Sequence, residues 1–244
     1  MKQMRNNLIE RVKILDSHES KILETIKSKG YWKVTIRPTT YQKDRISLDE
    51  LKNIIQQCQV RQRGWYYPVL DPRTGKTYHG NDYLTSLVNW NEFIEVWRFY
   101  RSGKFVQYYA LVEDGLKYPP YSTGKNLEII LALYHITEFF IFAKNLASKK
   151  IMGDTIRIEI ELHNTSQRKL IAEDIFRALH DSYICQVNDL EVFKGDIPLP
   201  KMLADFAEIA LDATVKTYNK FNWLNLQIKD VLRNDQEKLL KGFF

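Results

Sequence analysis

An α+β fold, with largely antiparallel sheets and long packed helices in two consecutive strand-then-helix halves, is the class this sequence predicts. Three observations predict it. Residues 93–112 hold two apolar-rich runs around Ser102-Gly103, a turn in which glycine takes positive φ without a Cβ clash. Ile156, Ile158, Ile160 and Leu162 alternate with Arg157, Glu159 and Glu161, as in a half-buried antiparallel strand. Helix-rich runs at about 125–150 and 201–241 each follow a strand-rich run, an order unlike alternating βαβ units.

Taken in order, residues 5–29 read as a helix bent near Asp16-Ser17. Leu8, Val12, Leu15, Ile22, Leu23 and Ile26 keep its three-to-four spacing, and Gly30 ends it. Trp32, Val34 and Ile36 alternate with Lys33, Thr35 and Arg37 in a strand that Pro38 stops. Ser47 and Glu50 form a capping-box pattern for a helix running to about Val60. Gly64 to Leu70 is a candidate edge strand, Asp71 to Lys76 is turn chemistry, and Thr77 to Asn89 has no decisive period. In the hairpin, pairing Arg101 with Lys104 sets Trp97 opposite Tyr108, Phe99 opposite Val106 and Val96 opposite Tyr109.

Prolines and glycines over 115–124 mark a subdomain junction, giving an expected division into 1–120 and 121–244 or one continuous domain. The long helix from about Lys125 to Lys150 is apolar but interrupted by Glu128, His135 and Glu138, so it reads as a buried helix of a soluble protein. Short strands are expected at Arg168–Ile171 and Ser182–Val187. Pro198 and Pro200 lead into C-terminal helices broken at Asn219–Asn222.

Hydrophobic content of 44% and aromatic content of 13% exclude a disordered chain, and 244 residues suffice for a sizeable core. A net charge of +6 suits an acidic partner such as nucleic acid. Cys58 and Cys185 make neither a CxxC pair nor a Cys/His cluster, so no zinc site, disulfide framework or cofactor is expected and a reducing cytoplasm is the default setting. The N-terminal residues show no apolar signal-peptide core.

Four constellations carry possible chemistry. Thr74-Gly75-Lys76-Thr77 matches the end of a phosphate loop, but Leu70 stands where the first glycine belongs, and a polar loop explains it better. His79 and Asp82 offer an imidazole near a carboxylate, with no nucleophile beside them. Asp154, Glu159 and Glu161 have the acids of a metal-dependent nuclease strand without its lysine, and they also fit the polar face of an amphipathic strand. Arg61 and Arg63 with Trp65, Tyr66 and Tyr67, joined by Lys33, Arg37, Lys43 and Arg45, would make a basic aromatic patch able to hold phosphates and stack on bases. The competing reading puts those aromatics in the core, with arginines lying along them.

The pattern Gln59 to Pro68, with Gly80-Asn81-Asp82 and Trp97-Arg98-Phe99-Tyr100-Arg101-Ser102-Gly103-Lys104-Phe105, resembles a group of bacterial proteins with no established activity. The likeness extends to Tyr31–Pro38 and Phe221-Asn222-Trp223. It implies a bacterial cytoplasmic setting and one co-evolving unit, and it transfers no catalytic residues. The net charge and the arginine-aromatic segment set the expected function: a non-catalytic nucleic-acid-contacting or scaffold component of a bacterial cytoplasmic assembly such as a defence system, binding through Lys33, Arg37, Arg61, Arg63, Trp65, Tyr66 and Tyr67. The alternatives are a protein–protein adaptor, or a metal-dependent hydrolase built on His79, Asp82, Glu159 or Glu161.

Overall fold

The computed structural model describes residues 18–70, 75–117, 125–173, 179, 181–224 and 228–242. Among them the fold is α+β. The helix α1 covers 18–27; the start of that expected helix, with its bend and Leu8, Val12 and Leu15, lies outside the described residues, as do Asp71 to Thr74. There follow β1 (Tyr31–Pro38), α2 (Glu50–Cys58), β2 (Gly75–His79), β3 (Tyr83–Trp90), β4 (Phe93–Tyr100), β5 (Phe105–Ala110), a 3-10 turn (Val112–Asp114), β6 (Asn126–Glu128), α3 (Ile129–Ser148), β7 (Thr155–His163), β8 (Lys169–Ile171), β9 (Asp189–Pro198), α4 (Leu199–Asn219) and α5 (Ile228–Lys241).

Seven strands form one antiparallel sheet in the order β2-β3-β4-β5-β1-β7-β9, and β6 pairs with β8 in parallel. Strand β1 lies between β5 and β7, so the sheet is continuous across the proline-rich junction. Its Trp32, Val34 and Ile36 are fully buried against α3, with Trp32 edge-on to Phe139 at 5.7 Å. Helix α4 packs along α3 and β9, and α5 closes over both helices. On the opposite sheet face, Ile22 and Ile26 of α1 cover Leu87, Ile94, Val96 and Ala110. Helix α3 is long and apolar enough to cross a membrane, and 72% of its most apolar window is buried within the fold.

The hairpin stands one residue away from the expected register. Tyr100 N–H bonds Lys104 O at 2.8 Å and Gly103 N–H bonds Tyr100 O at 2.9 Å, closing a three-residue loop with Gly103 at φ 84°. Trp97 therefore faces Gln107, and Phe99 faces Phe105. A one-residue slip exchanges the sheet faces of a strand. Here it sets Gln107 on the same face as Glu95 and Trp97.

Other expectations change as well. Gly64 to Leu70 forms no strand, only an isolated Val60–Tyr67 bridge, and Tyr67-Pro68 is cis. Gly75 to Thr77 lies in edge strand β2, which removes the phosphate-loop reading because no helix follows it. Residues 182–187 reach β8 through one bridge at Ile184, and the ten-residue β9 was not expected.

A buried polar knot ties β1, the 3-10 turn, β6 and β8 together. Arg168 is fully buried and donates to both carboxylate oxygens of Asp114, at 2.7 and 2.8 Å, and to Asn126 O at 2.5 Å. Beside it, burial pushes the Glu113 carboxyl up to about 7, with Arg168 pulling partway back, and pushes Glu128 to about 7. Acids whose folded pKa exceeds an unfolded value of 4.5 bind more protons when folded, so their contribution to stability falls as pH rises from about 4.5 to about 7. Glu113→Gln is accordingly expected to gain about 1–3 kcal/mol at pH 8 and nothing at pH 4.5. Urea unfolding at both values checks this, and an equal effect at the two would contradict it.

Candidate ligand pocket and its aromatic mouth

The Arg61–Tyr66 segment is a loop closed at its base. Val60 and Tyr67 exchange both backbone hydrogen bonds, at 2.8 and 2.9 Å, and Gln59 Nε2 donates to Pro68 O at 2.8 Å. Gly64 sits at φ 76°, the left-handed conformation that glycine adopts without strain, and there the chain turns. The loop meets the β3–β4 turn, where Asn91 has φ 51°. Trp65 stands edge-on to Phe93 at 5.9 Å, and Phe93 stacks on Trp90 at 6.2 Å. Trp65, Tyr66 and Trp90 are 43%, 42% and 52% exposed, unusual for rings of that size.

Between these elements lies a cavity of about 510 Å³, within the range of small-ligand sites. Its mouth is aromatic: Trp65, Tyr66, Trp90 and Phe93. Deeper in, Glu95, Arg63, Glu138, His135, Tyr67 and Tyr109 also line it, a few polar groups set in a mostly apolar wall.

Two hydrogen-bonded chains set the electrostatics there. In the first, Tyr67 Oη donates to Gln107 Oε1, which orients the amide, and Gln107 Nε2 then donates to Glu95 Oε2 at 2.8 Å. The other oxygen, Glu95 Oε1, accepts Val69 N–H at 2.9 Å. Each carboxylate oxygen keeps a further lone pair. Burial raises the Glu95 carboxyl to about 7, and the two hydrogen bonds hold it from rising further. Burial also raises the Tyr67 and Tyr109 hydroxyls, with Glu95 adding to both shifts, so both stay protonated.

In the second chain, Arg63 forks onto Glu138, with Nε to Oε1 at 2.9 Å and Nη2 to Oε2 at 2.5 Å. Arg63 Nη2 also lies 3.1 Å from His135 Nδ1, which must therefore be the unprotonated ring nitrogen. Burial and then the Arg63 charge hold His135 well below its usual pKa. Arg63 and Glu138 cancel and His135 is neutral, which leaves Glu95, once ionised above about pH 7, as the uncompensated acid of the interior. A phosphate is repelled there, whereas a group bearing N–H donors is attracted.

The expected basic patch does not assemble. Arg63 is buried in its ion pair, and Tyr67 is buried on Phe139 and Phe142. Lys33 and Arg37 project from the other face of β1, where Lys33 binds Glu161 at 2.7 Å. Arg45 lies beside Gly103 of the 101–103 turn, where Ile46 N–H meets Arg101 O, at the far end of β4 from Phe93 and roughly 20 Å away. Of the seven expected residues, Trp65 and Tyr66 stand at the mouth, Arg63 and Tyr67 line the cavity behind them, and the Arg61 guanidinium lies 4.4 Å above the Tyr66 ring.

Nor do the hydrolase residues converge. His79 and Asp82 flank the β2–β3 turn, five strands from Glu159 and Glu161, about 24 Å across the sheet. Glu159 pairs with Arg157, and Glu161 with Lys33 and His163. Among the described residues no group of three or more His, Cys, Asp or Glu side chains is placed to hold a metal ion.

The residues that sequence reasoning missed had a signal. Glu95 shares a strand face with Trp97 and Phe99, and His135 and Glu138 interrupt an otherwise apolar helix. A charge on a buried face needs a partner or a ligand. Comparison of the chain with protein-family models, curated proteins and solved structures gives no match.

Proposed function

We propose that the protein is a binding component, in keeping with a role in a bacterial assembly, and that its aromatic-mouthed pocket takes an unpaired base of a single-stranded nucleic acid or nucleotide. The observation that carries this reading is three exposed rings, Trp65, Tyr66 and Trp90, gathered around a cavity that holds a buried carboxylate. Base stacking on aromatic side chains is tolerant of sequence and worth about 1–3 kcal/mol per base. The base enters while its phosphate stays outside, on the side where Arg61 lies over the Tyr66 ring. A duplex keeps its bases stacked and paired, so it fits the mouth poorly.

Fluorescence anisotropy with labelled single- and double-stranded DNA and RNA tests the reading. Single strands are expected to bind, duplexes far more weakly, and Trp65→Ala with Trp90→Ala to weaken binding by about ten-fold or more. Salt dependence should be shallow, because few phosphates are contacted. Lys33→Ala with Arg37→Ala is expected to leave affinity unchanged, since the sheet separates both residues from the pocket. Steep salt dependence together with loss of binding in that last pair would move the site to the other sheet face. No binding of any strand, beside a stable complex with another protein that Trp90→Ala abolishes, would favour an adaptor.

A further inference from the structure

We infer that the base this pocket accepts is guanine, recognised by two adjacent N–H donors that meet the Glu95 carboxylate. The inference rests on the base-pocket reading above and adds selectivity to it. Glu95 has both oxygens oriented before any ligand arrives, one by Val69 N–H and the other by Gln107 Nε2. With its carbonyl accepting from Tyr67 Oη, Gln107 turns its N–H toward Glu95. The pocket thus presents two fixed acceptors side by side, with little reorganisation left for binding.

Among the bases, guanine alone carries two neighbouring donors, N1–H and N2–H₂, on its Watson–Crick edge. Adenine and cytosine set a ring-nitrogen acceptor beside their amino group, which would face the carboxylate. Uracil flanks its single N–H with two carbonyls. Inosine keeps N1–H and lacks the 2-amino group. A bidentate pair of this kind discriminates by about 1–3 kcal/mol, or roughly 5- to 150-fold.

The groups around Glu95 are Arg63 from the loop, Tyr67 and Val69 just after it, Gln107 and Tyr109 from β5, and His135 and Glu138 from α3. Both tyrosines stay protonated and His135 stays neutral near pH 7, so Glu95 is the group whose titration changes the pocket. A protonated carboxyl loses one acceptor, so affinity is expected to rise as pH increases from 6 to 8.

Isothermal titration calorimetry of the full chain at pH 6 and pH 8, with GMP, IMP, AMP, CMP, UMP and N-acetyl-arginine amide, decides the matter. The expected result is GMP binding about ten-fold or more tighter than the other nucleotides, tighter at pH 8, with the preference over IMP lost in Glu95→Gln. The GMP/IMP comparison in the unaltered protein needs no variant to fold. Equal binding of all nucleotides overturns the guanine assignment and leaves the base pocket standing. Binding of the arginine amide in place of any nucleotide overturns both, since a guanidinium offers the same pair of donors, and makes the occupant a partner protein's arginine. Binding of none of the six also overturns both.

Discussion

Replacing Arg63 by alanine is expected to destabilise the protein by about 3–5 kcal/mol, the cost of leaving a buried charge unpaired. Its side chain is 6% exposed and that of Glu138 is 2% exposed, with two hydrogen bonds between them. Burial already raises the Glu138 carboxyl against the opposing Arg63 charge, so loss of the guanidinium pushes it up further. Glu138→Ala should cost a similar amount. The double substitution Arg63→Met with Glu138→Leu should recover much of it, because neither charge is then stranded. Urea unfolding of the three variants reads this directly, and a cost below about 1 kcal/mol for Arg63→Ala would mean an exposed pair. Arg63→Ala is consequently a poor probe of phosphate contact, because any lost binding would follow from lost structure.

A second large effect is expected at Arg168. Arg168→Ala removes a guanidinium that is fully buried and strands the Asp114 carboxylate, at an expected cost of about 3–5 kcal/mol. Gly30 is part of the same knot. Its N–H donates to Asp114 Oδ2 at 2.6 Å, and a Cβ placed on it would fall 2.2 Å from Arg168 Nη2 and 2.7 Å from Leu111 Cδ1. Gly30→Ala therefore forces Arg168 off its partner and should cost well over 1 kcal/mol by displacing a buried ion. The two changes share a mechanism, so their costs should add to much less than their sum. Additive costs in a double-mutant cycle would contradict the shared contact.

How far the sequence revealed this depends on how local each determinant is. Strand β7 was legible because one face is buried along its whole length and the other is charged. Strand β1 and helix α3 were legible for the same kind of reason. The β4–β5 hairpin was legible as an element but missed by one residue, since register depends on the backbone of Gly103 rather than on the apolar pattern. Strands β2 and β9 are the two sheet edges. Gly75-Lys76-Thr77-Tyr78-His79 has little apolar pattern to read, and the Leu190–Val192 alternation fades at Lys194-Gly195-Asp196.

The aromatic-arginine loop stood out as the distinctive stretch, and it does form the mouth of the pocket. What could not be read was the direction of each side chain. Arg63 turns inward because Glu138, 75 residues away, lies opposite it on α3. Arg61 has no such buried acid and stays outside on Tyr66. Glu95 became a site residue only through the hairpin register that puts Gln107 on its face of the sheet.

The most direct measurement is a crystal structure of the protein soaked with GMP at pH 8. The guanine ring is expected among Trp65, Trp90 and Phe93, its N1 and N2 edge on the Glu95 carboxylate, and its phosphate outside the mouth near Arg61. A nucleotide bound instead on the Lys33–Arg37 face of the sheet, or a phosphate inside the pocket against Arg63, would contradict it.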